Sequence, residues 1–399
     1  MRLGTLFRRW FELPDEAIRV PAMAGIRGLA VLLVFAVHAD NNLSVLLRAD
    51  SWGRWLVFAI GQIGHAGVDI FFLLSGYLIY ASTLKPGFAI GRFWRRRVER
   101  IYPAFLAMLL VYVALSALFP EQSKFPPDVW KTIVLLAANL LLLAGLFPFV
   151  PIITVTWSLS YEAFFYLSIP LIVIATGMRG WSSHQRILFF AGLAAFFCVL
   201  FVSGPLSHPD YWGSARLLMF IAGIILYERI GIVSRSRSLP ASRWRDALVG
   251  STFIGMLAVY YWMWVQTTHE QSVPVMALWQ LAKAFTLAMG SAALCAHCFR
   301  RLGGLRDVFE WAPLRWLGNM SYSYFLIHAL AIHAVAQVAQ RLIKADEAGP
   351  AAFAIAVAVA FGLSLVASTV LFLLVERPLS LERKPKHVHL DTRPAGTRP

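Results

Sequence analysis

Residues 22–39 read AMAGIRGLAVLLVFAVHA. The run is 18 residues long and apolar except at Arg27 and His38. As a helix it rises roughly 27 Å, close to the hydrocarbon thickness of a bilayer. Comparable runs follow at about 56–81, 101–119, 130–149, 157–176, 186–204, 214–231, 246–266, 274–298, 313–340 and 351–375, which makes eleven. Composition agrees. The 399 residues are 59% hydrophobic and 14% charged, whereas a globular domain is about 45–50% apolar and about 25% charged. Mean hydropathy is +0.65. A disordered chain, a coiled coil and most soluble enzymes are excluded. The expected fold is all-α, a polytopic transmembrane helical bundle embedded in a lipid bilayer.

Net charge is +15, from 36 basic and 21 acidic residues. In a soluble protein this would suggest a nucleic-acid partner. Here it reads as Lys and Arg retained in cytoplasmic loops, and no nucleic acid is expected. Cys198, Cys295 and Cys298 all sit in apolar stretches and imply no disulfide framework. Cys295-Ala296-His297-Cys298 has the look of half a zinc site, but a tetrahedral site needs a second ligand pair, so no metal is expected. Residues 1–21 have no sustained apolar core and no small-residue cleavage site, and read as a cytoplasmic amphipathic lead-in. Residues 22–378 form the membrane domain. Residues 379–399 are expected to be a disordered basic cytoplasmic tail.

Basic loops set the sidedness. Arg8 and Arg9 place the N-terminus inside. Lys85, Arg92, Arg95, Arg96, Arg97 and Arg100 do the same for the second loop, and Arg229, Arg235, Arg237, Arg243 and Arg245 for the loop near 235. Five apolar stretches separate Arg100 from Arg235, yet two inside loops are joined by an even number of crossings. One stretch therefore does not cross. The best candidate is 130–149, which runs into Pro148–Pro151. Its re-entry gives ten spans, both termini cytoplasmic, with Arg179 and Arg186 inside and His208 and Asp210 outside. Irregular backbone at membrane depth needs cover from protein or a cavity, so 148–157 is a candidate cavity wall.

Ionisable groups within spans are costly and mark function or a buried pair. Arg27 and His38 are eleven residues apart, nearly on one helical face and separated by roughly 16 Å of rise. Asp69 lies near the middle of the second span and needs a cation or a proton; Arg27 is a plausible partner. Gly64, Gly67 and Gly76 allow close helix approach. Arg96, Arg97 and Arg100 form a cationic cluster suited to a polyanionic cytosolic ligand. Glu162 opens the fifth stretch. Ser321, Tyr322, Ser323 and His328 set hydroxyls and an imidazole along the tenth, and Glu376-Arg377-Pro378 reads as a charged stop at the cytoplasmic face.

Together these segments resemble the acyltransferase-3 family of integral-membrane acyltransferases. The matches are Arg27 with His38; the run Gly67 to Ile79, including Ser75; Arg-Arg-x-x-Arg-Ile-Tyr-Pro from Arg96 to Pro103; Trp-Ser-Leu-x-x-Glu from Trp157 to Glu162; Ser-Tyr-Ser-x-Tyr followed by His328; and the closing Glu-Arg-Pro. They occur in the family's order across about residues 22–378. Tyr77 stands where the family often has Phe. The resemblance implies a bacterial inner-membrane, multi-pass enzyme that takes an acyl group, acetyl by default, from acyl-CoA. The acceptor is a hydroxyl of an extracytoplasmic or lipid-linked carbohydrate. Acyl-CoA is a co-substrate, and no other cofactor is implied. The implied catalytic set is His38, Arg27 and Glu162. Arg96, Arg97 and Arg100 would bind the donor, with Asp69, Ser75, Tyr322, Ser323 and His328 supporting. Some members carry an added extracytoplasmic esterase-like domain. The 23 residues after Glu376 leave no room for one, so an acceptor that requires it is not expected.

The chemistry is physically sound. A hydroxyl needs a general base as it attacks a thioester, and an imidazole supplies one near neutral pH. Arg27, Tyr322 or a serine could donate to the developing oxyanion. His38 could also carry the acyl group transiently. Two alternatives stand beside this reading. One is a proton-coupled transporter or flippase of a surface-glycan precursor with Asp69, Glu162 and His328 as relay. The other is a different membrane acyltransferase with His328 as the base.

Overall fold

A computed structural model describes residues 3–13, 20–203, 209–231, 239–269, 272–343 and 349–382. Arg235, Arg237, His208, lead-in residues 14–19 and the tail from 383 onward lie outside the described residues. The described chain is helical with no sheet. Its helices are α1 (Leu3–Phe11), α2 (Pro21–Leu43), α3 (Trp52–Gly64), α4 (Ala66–Thr83), α5 (Ile90–Leu118), α6 (Val129–Leu140), α7 (Trp157–Ala175), α8 (Ser183–Ser203), α9 (Leu217–Ile230), α10 (Arg243–His269), α11 (Val273–Arg300), α12 (Gly304–Glu310), α13 (Ala312–Asn319), α14 (Ser321–Leu342) and α15 (Pro350–Leu371). The last helix continues as a π-helical segment over Phe372–Leu381.

Nine segments among the described residues are long and apolar enough to cross a membrane. The stretch at 214–231 becomes α9, whose 14 residues rise only about 21 Å. It is nevertheless built into the centre, alongside α4. A Cβ on Gly76 would stand 2.2 Å from the Phe220 carbonyl oxygen, and one on Gly223 would stand 2.0 Å from that of Leu73. Further along both helices Tyr77 Oη donates to the Gly231 carbonyl at 2.6 Å. Backbones this close require glycine at the contact.

Helix direction shows which stretches cross. Near the starts of α2 and α14, Arg27 Nη2 donates to Ser321 Oγ at 2.7 Å. Further along both, His38 meets His328 with ring centroids 4.9 Å apart. The two helices are therefore parallel, and an odd number of crossings separates them. The intervening stretches are the α3–α4 pair and α5 to α11, eight in all, so one does not cross. Lys124, beyond the end of α5, donates to the carbonyls of Pro151 and Ile152 at 2.9 and 3.1 Å and to Thr154 Oγ1 at 2.9 Å. The chain thus leaves α5, enters along α6, and returns to the same end before α7. Between α5 and α6 Tyr102 Oη donates to the Leu140 carbonyl at 2.9 Å, and Asn139 bonds Val150 O and Ile152 N at 3.1 and 2.9 Å. These bonds satisfy backbone that the irregular 141–156 segment exposes. The re-entrant segment is the one expected from charge.

The second span differs from expectation. It is broken at His65, whose N–H bonds Gln62 O at 3.3 Å. Asp69, expected near mid-span, stands instead in the first turn of α4, where the positive end of the helix dipole favours a carboxylate. The lead-in helix α1 is tied to the bundle end. Phe7 and Phe11 stack near Trp316 at 5.7 and 6.1 Å, and Asn319 Nδ2 donates to Phe11 O at 2.9 Å.

Two measurements check this arrangement. In a cysteine-free background, Ser123→Cys and Pro151→Cys should react with the same membrane-impermeant reagent from one side, and Ser183→Cys only from the other. Labelling of Ser123→Cys and Pro151→Cys from opposite sides contradicts the re-entrant assignment. Separately, Gly76→Leu should lower stability in detergent by about 1–3 kcal/mol or more through overpacking, whereas Gly255→Leu on α10, which meets no neighbour within 4 Å at its Cβ, should leave stability nearly unchanged.

Candidate active site

At the end of the bundle where α5 begins, Lys85, Arg92, Arg96 and Arg97 line a cavity of about 240 Å³ with Phe88 and Phe93. Arg97 lies over the Phe93 and Tyr166 rings, 5.0 and 5.2 Å from their centroids. Its Nε is buried with no hydrogen-bond partner among the described residues. Stacking fixes the guanidinium plane and leaves donors for a planar oxyanion. Arg100, the third expected donor residue, faces elsewhere. Its Nη1 lies 2.7 Å from Glu376 Oε1, an ionic contact rather than an aligned hydrogen bond. Glu376 has no exposed surface. Its other oxygen accepts from Ser323 N at 3.0 Å and from Ser323 Oγ. Glu376 is therefore not a surface stop; it is the buried counterion of Arg100. The π-helical widening from Phe372 onward turns it inward.

A second polar set adjoins. Glu162 Oε1 accepts from Ser75 Oγ at 3.0 Å and from Tyr166 Oη. Tyr322, beneath Arg100 at 5.8 Å, is within electrostatic reach of both Glu162 and Tyr166. Polar side chains from α4, α5, α7, α14 and the last helix thus gather inside the bundle, adjoining the basic cavity through Arg97 and Tyr166. The expected oxyanion donors on α14 are already engaged: Tyr322 Oη donates to Ile101 O at 2.8 Å, and Ser323 to Glu376.

Further along α2 and α14 lies the histidine pair. His328 has no exposed surface. Its Nδ1 faces the Tyr324 and Phe325 carbonyls at 3.0 and 2.9 Å, so Nδ1 carries the proton and Nε2 the lone pair. His38 is half-buried and makes no side-chain hydrogen bond among the described residues. Of the two, His38 is the more exposed. Arg27 is not joined to it. The helix is continuous between them, so they stay roughly 16 Å apart, and Arg27 holds Ser321 instead.

Asp69 is not paired with Arg27. It contacts Arg216 Nη1 at 3.3 Å, and the same nitrogen donates to His65 O at 3.4 Å. The reason is helical phase. Gly67 faces α2, as the approach of Ala30 O shows, and Asp69 two residues on is turned about 200° away. Arg216 also lies 5.2 Å over Trp157. Beside this pair a cavity of about 230 Å³ is lined by His65, Arg216, Tyr260, Trp264, Gln280 and Lys283. Sequence reasoning missed Arg216 and Lys283, although Lys283 is the lone formal charge within the apolar run 274–298. Asp69, Glu162 and His328 each belong to a different set of contacts, so they form no continuous relay. His297 faces Asp246 at 2.6 Å. Among the described residues no three His, Cys, Asp or Glu side chains converge as metal ligands do.

Comparison with known proteins completes the description. A family profile described as an acyltransferase domain matches residues 20–371. The chain is 29% identical over 352 residues to acyltransferase MdmB of Streptomyces mycarofaciens, covering 80% of this chain and 81% of that protein. It is 26% identical over 326 residues to peptidoglycan O-acetyltransferase OatA of Listeria monocytogenes, covering 77% of this chain but 49% of the relative. The chain thus spans about half the length of that peptidoglycan enzyme. No solved structure matches.

The buried ion pair generates a stability prediction. Glu376→Gln leaves Arg100 without its counterion and should cost about 3–5 kcal/mol. Adding Arg100→Met should recover much of that loss, measured as a double-mutant cycle on thermal unfolding in detergent. Additive losses would mean that the two groups do not interact.

Proposed function

Because the chain belongs to the acyltransferase-3 family, we propose that it is an O-acyltransferase moving an acyl group, acetyl by default, from acyl-CoA to a hydroxyl of an extracytoplasmic or lipid-linked carbohydrate. The observation that carries the proposal is the pairing of a half-buried His38 with a buried His328, in a bundle whose basic end holds an arginine-lined cavity. The basic end is cytoplasmic by the charge rule, and the membrane is the bacterial inner membrane.

In this reading Arg97, with Arg96, Lys85 and Arg92, takes the CoA phosphates. Pantetheine, about half a bilayer long, then follows the polar side chains around Tyr166, Glu162 and Ser75 into the bundle and presents the thioester near His38. His38 removes the acceptor hydroxyl's proton as its oxygen attacks the thioester carbonyl. The C–O bond forms, the C–S bond breaks, and the imidazolium returns the proton to the CoA thiolate. His328 is a positioning residue. Its Nδ1–H is held by two carbonyls, and its ring edge fixes the orientation of His38. Arg27 and Glu376 act at a distance, by fixing α14 against α2 and α5. Relatives named as O-acetyltransferases support the acetyl assignment.

His38→Ala should lower acyl transfer by about 10²–10⁴-fold, the usual contribution of general-base catalysis, and His38→Gln should not restore it. His328→Ala should retain more activity than His38→Ala when acylated glycan is quantified by mass spectrometry. A dead His328 variant beside an active His38 variant moves the base to α14. Arg97→Ala should raise the apparent KM for acyl-CoA roughly tenfold or more, as expected for lost charge-assisted hydrogen bonds, and Arg97→Lys should recover part of it. An unchanged KM would leave Arg97 as a topology signal alone.

A further inference from the structure

The cavity beside His65 is not used by the mechanism above, yet its walls are charged in an unusual way. Lys283 is 5% exposed and makes neither a hydrogen bond nor an ion pair among the described residues. Asp69, the carboxylate beside the cavity, is already matched by Arg216. Among the described side chains at the cavity Arg216 and Lys283 are positive and Asp69 is negative, which leaves one cation in excess, and a buried charge without a counterion is costly. The rest of the lining has a second character. Tyr260 and Trp264 are i and i+4 on α10; Gln280 and Lys283 are i and i+3 on α11, so each pair shares a helical face. Aromatic rings opposite an amide and a cation suit a sugar ring that stacks on one wall, hydrogen-bonds Gln280 and carries an acidic substituent.

The cavity is also next to the histidine pair. Gly64 packs against Val37 and Gly61 against Asp40, so the end of α3 lies along the turns of α2 on either side of His38. His65 is within electrostatic reach of His38, Arg216 and Lys283. Phe58 of α3 covers Trp264 at 5.2 Å. We propose that this cavity is the acceptor subsite, and that it selects a carbohydrate bearing an oxyanion, a carboxylate or a phosphate, held by Lys283 and Arg216. The proposal rests on the reading of the chain as a carbohydrate O-acyltransferase and specifies that acceptor. The anion is the acceptor's own and not a bilayer headgroup.

The test uses the full chain in phosphatidylcholine nanodiscs. It reads binding of methyl α-glucuronide, glucose 1-phosphate and methyl α-glucoside by equilibrium dialysis, with Arg97→Ala run in parallel so that capture at the basic cavity is subtracted. Both anionic probes should bind at least about tenfold tighter than the neutral glucoside, as expected for a charge-assisted contact. The preference should vanish in Lys283→Met and survive in Lys283→Arg and in His38→Ala. Should Lys283→Met fail to accumulate, Gln280→Glu places a negative charge one turn away and should likewise abolish the preference. Equal binding of charged and neutral probes by the wild type, or a preference retained in Lys283→Met or Gln280→Glu, overturns the proposal. So does displacement of the probes when phosphatidylglycerol replaces phosphatidylcholine, because the occupant is then a headgroup. Acyl-CoA consumption read on the same nanodiscs with carbohydrate acceptors separates the two claims. Consumption without an anion preference overturns this inference alone. A Lys283-dependent anion preference without consumption overturns the acyltransferase reading and leaves an anion site.

Discussion

Glu376 is sealed inside the bundle with Arg100 2.7 Å away and Ser323 on its other oxygen. A carboxylate at such a place is tolerable only with a cation and hydrogen-bond donors converging on it. Those groups come from α5, α14 and the end of the last helix. The contact therefore fixes how three helices meet at the basic end. Much else follows from it. α14 is held in register, Ser321 faces Arg27, and His328 arrives opposite His38. Asp69 and Arg216 do the same at the start of α4 and α9, with the dipole of α4 favouring the carboxylate.

The membrane fold was legible because apolar length and basic loops are one-dimensional signals. Parity required one non-crossing stretch and the Pro148–Pro151 break pointed to 130–149; the bonds of Lys124 to Pro151 and Thr154 show how the chain manages it. Which polar residues touch was less legible. His38 and His328 are 290 residues apart in the chain, and nothing in either segment encodes their meeting. Arg27 and Asp69 looked complementary, yet the face of α4 that carries Gly67 is the one turned to α2, so Asp69 points the other way. Glu376 looked like a terminal charge because its sequence neighbours are polar; the π-helical turn that buries it leaves no mark in hydropathy. Lys283 was readable, as a lone charge in an apolar run, but the cavity it shares with Arg216, Tyr260 and Trp264 was not.

The two cavities lie toward opposite ends of the bundle, and the proposed transfer would divide its work between them. One is lined by arginines on the first two turns of α5 and by Lys85 in the turn before it. The other is lined by His65 at the break between α3 and α4, Arg216 at the start of α9 and side chains of α10 and α11, where buried charge carries a desolvation cost. A thioester entering by the first and a hydroxyl entering by the second would meet near the α2–α14 contact. Neither substrate then needs to cross the hydrocarbon region, since only the acyl group changes sides.

The eleven residues between Arg27 and His38 are close to three helical turns. Because α2 is fastened to α14 at both positions, its length between them is a gauge. One inserted or deleted residue would rotate His38 by about 100° relative to Arg27 and carry the imidazole off the face shared with His328. Substitutions along this segment can be absorbed by neighbouring side chains, but changes in residue number cannot. An insertion or deletion between these two positions is therefore far more disruptive than one in the loops beyond the ends of α2.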